Sequence, residues 1–228
     1  MEISNFLNAK PLDENKSKMI VDYVYAFVQT QKGIRVEDAI CLICTIVAER
    51  CIEAASEYSI NDHNFEPGSA LFSDKINELL VGPVSVNNWN RLPKECVFAQ
   101  IKTKIDSQFE IDFFPSLTEI FENYAKNVGK TEWGNLNLTV PDNNKPFLLP
   151  LQAGYESRKF INKNFHTEST KELLEITLNA MAMILIETKM ALNPSITLFL
   201  TFEIINGMSK TASMTDKKMQ ELNSPIEK

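Results

Sequence analysis

Residues 169–207 read STKELLEITLNAMAMILIETKMALNPSITLFLTFEIING, and this stretch decides the fold. Ser169 and Glu172 stand at the spacing of a capping box, in which serine and glutamate each satisfy a helix-end amide. Leu178, Met181, Ala182, Leu185, Ile186 and Met190 recur at three- and four-residue steps, one stripe of a helix running to about Leu192. Pro194 interrupts it, because the residue before a proline avoids helical geometry. A second helix runs from Ser195 to Asn206, and Gly207 stops it. Met183, Ile184, Leu198, Phe199, Leu200, Phe202, Ile204 and Ile205 carry apolar character round the other sides. A helix that is apolar nearly all round is buried, so this pair is expected at the centre of the domain.

The rest of the chain follows the same period. From Leu12 to Thr30, the residues Ile20, Tyr23, Val24, Phe27 and Val28 line one helical face, and Gly33 closes the segment. A helix from Val36 to Tyr58 carries the stripe Ala39, Ile40, Ile43, Cys44, Val47, Cys51 and Ala54. Glu49, Glu53 and Glu57 read as its solvated edge. Shorter helices are expected over Ala70–Val81, Pro93–Asp106, Pro115–Val128 and Leu151–Asn162, with Pro93 and Pro115 suited to a first turn. Leu136, Leu138 and Val140 alternate with polar residues, which predicts a short β-hairpin or extended arm near 135–149. The expected fold is therefore all-α, an irregular bundle of about seven or eight helices. One domain covers 1–208, and the polar residues 209–228 read as a disordered tail.

Composition narrows function by exclusion. Seven glycines and two histidines in 228 residues leave little for glycine-dependent phosphate loops or histidine proton transfer. No phosphate-binding loop, dinucleotide fingerprint or nucleophile elbow is present. The net charge is −7 and no three basic residues are consecutive, which disfavours nucleic acid. The first residues lack a signal-peptide pattern. The apolar run 180–186 is followed at once by Glu187 and Lys189, too short for a membrane span. A cytoplasmic chain without membrane partner or cofactor is expected, of bacterial regulatory, adaptor or immunity type.

Several residues stand out as candidates. Cys41 and Cys44 have redox-pair spacing, but they lie more than a turn inside a helix, with Cys51 on the same face. That placement reads as core, and no metal site is expected. Glu187 and Glu203 sit in strongly apolar helices, where charges are rarely buried alone. Convergence of the two on one cavity would make an acidic ligand site, with Asn179, Tyr155 and Arg158 as further lining. Trp89 with Arg91, and Trp133, mark loops with aromatic contact potential. No catalytic residue is assigned. The leading expectation is a protein acting by protein–protein contact or self-association. The alternative is an enzyme or ligand carrier with the acidic site between helices.

Overall fold

The computed structural model describes residues 14–83, 88–109, 114–128 and 136–223. Among them the chain forms an all-α bundle with one two-stranded hairpin. Nine α-helices follow in order: α1 (Glu14–Val28), α2 (Val36–Ala55), α3 (Asp74–Val81), α4 (Val97–Ile105), α5 (Leu117–Asn127), α6 (Pro150–Asn164), α7 (Thr170–Thr188), α8 (Pro194–Met208) and α9 (Asp216–Asn223). Among the described residues, no helix is long and apolar enough to cross a membrane.

The helix pair read from residues 169–207 forms as expected. Ser169 accepts from the Glu172 amide, and the Glu172 side chain accepts from the Ser169 amide, completing the capping box. Pro194 opens α8, where Asn193 caps the Ser195 amide. Both helices are buried over most of their length. Each fully buried Leu, Ile or Phe is worth about 1.5–3 kcal/mol, so the pair anchors the core.

Four differences from the sequence reading have physical causes. The centre is shared: α2 is buried continuously from Ala39 to Ile52, because α7 and α8 cover one side while α6, α3 and α1 cover the others. Met190 lies beyond the end of α7 and is exposed. Among the described residues the only hairpin is not in the 135–149 range. It pairs β1 (Gln29–Thr30) with β2 (Gly33–Ile34), and Gly33 there has a φ of 105°. Leu136, Leu138 and Val140 are buried as their alternation requires. Yet Leu136 and Asn137 adopt left-handed turn angles, and among the described residues the segment pairs with no strand. It runs instead as a strap across the bundle to α6.

The fourth difference is the C-terminal segment. Ser209, Thr211, Ala212 and Ser213 are buried, and α9 follows. The segment exchanges main-chain hydrogen bonds with 68–71, including Gly68 to Ala212 and Ala212 to Ser69. Ser209 and Thr211 donate to the Asn206 and Gly207 carbonyls one turn back, and Ser213 pairs with the Tyr58 hydroxyl. Polarity here marks a buried, hydrogen-bonded run and not a solvated tail.

Candidate functional site

The structure separates the ligand residues suggested by sequence. Glu187 is exposed and accepts a hydrogen bond from the Tyr25 hydroxyl at 2.7 Å. Asn179 accepts from Lys104 on α4. Tyr155 carries Lys159 over its ring at 4.5 Å. Glu203 accepts from the Thr139 amide and hydroxyl, on the strap. Glu187 therefore answers to α1 and Glu203 to the strap and α5, and the two do not converge. Trp89 donates to the Pro115 carbonyl and packs 4.6 Å from the Phe202 ring, so it pins its loop to the core. Arg91 beside it is exposed. Trp133 lies outside the described residues.

Arg158 belongs to a buried ion knot that sequence reading missed. It grips Glu49 through two nitrogens, at 2.9 and 3.1 Å, and also donates to the Ile60 and Met214 carbonyls. Arg50 lies 3.4 Å from Glu49 and 2.9 Å from Glu53. Glu49 is 3 % exposed, so it is not the solvated edge its four-residue spacing suggested. Gly154 makes room for it: a Cβ there would lie 2.9 Å from the Glu49 carboxylate. The four cysteines are free and buried. Burial pushes the Cys41 and Cys51 thiols up to about 12, away from reactive thiolate chemistry.

One place on the surface is organised in a way the core does not require. The sequence Pro146-Phe147-Leu148-Leu149-Pro150 brackets three apolar residues between prolines. A proline fixes its own φ and holds its predecessor extended, and Lys145 and Leu149 are both extended. The N-cap and first turn of α2 then clamp the strap. Arg35 donates to the Asn143 and Lys145 carbonyls. Glu37 accepts from the Asn144 amide group. Asp38 accepts from the backbone amides of both Phe147 and Leu148, at 2.7 and 2.9 Å.

The result is a fixed aromatic ring standing in water. Phe147 is 77 % exposed and Leu149 56 %. The Arg35 guanidinium lies 3.8 Å over the Phe147 ring, a stacking that holds the ring without covering it. Beside it runs a groove of about 340 Å³ whose lining includes Phe27, Leu148, Leu149 and Glu156. The nearby ion pairs Arg35–Glu37 and Lys145–Asp142 cancel locally, while Asp38 and Glu156 make no ion pair among the described residues. The proline bracket is visible in the sequence. The exposure is not, because Phe and Leu ordinarily signal core.

No protein-family model, curated protein or solved structure matches this chain.

Proposed function

We propose that this protein acts by contact with another protein, using Phe147 and Leu149 as anchors. The observation that carries the reading is the Phe147 ring, exposed yet held by Arg35 stacking and by two main-chain bonds to Asp38. Aromatic and arginine side chains dominate binding hot spots. Fixing them before association removes an ordering cost of about 0.5–1.5 kcal/mol per side chain. The partner is a basic segment with apolar anchor residues. Its charge complements the uncompensated Asp38 and Glu156 and the −7 of the whole chain, which would steer its approach.

A displayed peptide library, panned against the purified protein, tests this directly. The expected selection is peptides with one or two large apolar residues flanked by Lys or Arg. Their affinity should fall about tenfold or more for Phe147→Ala, with thermal stability unchanged. Selected peptides that bind wild type and Phe147→Ala equally would overturn the assignment. So would an absence of selection. Sedimentation of the protein alone covers the remaining occupant: a dimer abolished by Phe147→Asp would replace the basic partner with a second copy.

A further inference from the structure

A second cleft, of about 520 Å³, opens between α5, the strap and the first half of α8. Its walls are Val140, Pro141, Ile196 and Phe199, and Glu203 lies at its polar end. Glu203 is 5 % exposed. Its Oε1 accepts from the Thr139 hydroxyl at 2.7 Å and from Asn123 at 3.4 Å, and its Oε2 accepts from the Thr139 amide at 2.9 Å. A carboxylate has about four acceptor positions, so one on Oε2 is left. Every one of these donors is neutral. Among the described residues no Lys, Arg or His comes within ion-pair distance of Glu203, whereas the equally buried Glu49 holds two guanidiniums. Buried carboxylates are rarely left without a cation.

The cleft offers the place for that cation. Lys126 on the rim is engaged by Glu122 at 3.1 Å and leaves Glu203 alone. Glu119, also on the rim, makes no ion pair among the described residues. It precedes Asn123, the α5 residue that touches Glu203, by one turn, about 6 Å of helix rise. Glu119 and Glu203 thus line one cleft, which Val140, Pro141, Ile196 and Phe199 line with apolar surface. We infer that the cleft binds a short aliphatic diamine as its dication, one ammonium paired with Glu203, the other with Glu119, and the methylenes against Ile196 and Phe199. Burial pushes the Glu203 carboxyl up from the ordinary range, the direction that a bound ammonium would reverse.

Calorimetric titration with butane diamine (putrescine), butylamine and butanediol decides the matter. The expected order is diamine tighter than butylamine by about tenfold, with no heat from butanediol. Glu119→Gln should bring the diamine down to butylamine affinity. Ile196→Trp, which fills the cleft without altering a carboxylate, should abolish binding of both amines, and Glu203→Gln should do the same. If Glu203→Gln does not fold, Glu119→Gln and Ile196→Trp carry the test. Three results would overturn the site: no heat with millimolar diamine, equal affinity for diamine and butylamine in wild type, or undiminished diamine binding in Ile196→Trp. The last would mean diffuse attraction to an acidic surface.

Discussion

Two glutamates in this molecule are buried to the same depth and treated in opposite ways. Glu49 is met by Arg158 and Arg50, and every element around it conforms, down to a glycine at position 154. Glu203 is met by a threonine, its amide and an asparagine, and beyond them by a cleft. The first arrangement is closed and its charges balance within the chain. The second is met by neutral donors alone among the described residues. Burial alone does not distinguish the two glutamates; the charge of their neighbours does.

The largest way to break this contrast is Arg158→Met. It takes from buried Glu49 its bidentate partner and leaves it only Arg50 at 3.4 Å; breaking a buried ion pair costs about 3–5 kcal/mol, so the denaturant midpoint should fall steeply. Adding Glu49→Met should recover part of the loss. Full recovery is not expected, because the Ile60 and Met214 carbonyls still lack their donor. A single Arg158→Met variant as stable as wild type would show that the knot carries little. Gly154→Ala is the next probe. The new Cβ would press to 2.9 Å on a carboxylate that Arg158 holds still, and to 3.1 Å on Thr45. Overpacking of about 1–3 kcal/mol opposes the roughly 1 kcal/mol that alanine gains in a helix. The expected result is a net loss near 1 kcal/mol; a gain would show that the knot yields.

The smallest effect belongs to Glu203→Gln, and it is a matter of pH. Burial raises the folded-state pKa of Glu203 above its ordinary 4.5. Folding therefore takes up protons, and wild type loses stability as pH climbs from 4.5 through the folded value. Glutamine does not titrate. Urea unfolding at pH 4.5 and pH 7 should thus show the variant gaining on wild type at the higher pH, by about 1 kcal/mol or less. A gap that does not change with pH would mean that Glu203 is solvated like a surface acid.

How far the sequence revealed these features depends on how local each one is. The capping box at Ser169, the break at Pro194 and the apolar faces of α7 and α8 are local, and they were legible. The alternation at Leu136, Leu138 and Val140 suggested a hairpin or an extended arm, and the three side chains are buried. It could not foretell pairing, since a strand needs a neighbour that the pattern does not name. The Glu49–Arg158 bond joins residues 109 positions apart, and a glutamate every fourth residue looks the same on a wet face as in a knot. Glu203 was legible as a charge in an apolar helix, but its separation from Glu187 was not. Phe147 shows the opposite problem: its composition says core, and only the clamp from Arg35 and Asp38 places it outside.

The return of residues 209–215 to the bundle has a consequence for how the protein is made. Arg158 holds the Met214 carbonyl, the 68–71 segment pairs with 210–212, and α2 has α7 and α8 as its main neighbours. In a nascent chain α2, with its long run of core residues and its half of the ion knot, is thus made long before the helices that cover it are translated. Such late-closing contacts slow folding and leave greasy surface open to capture.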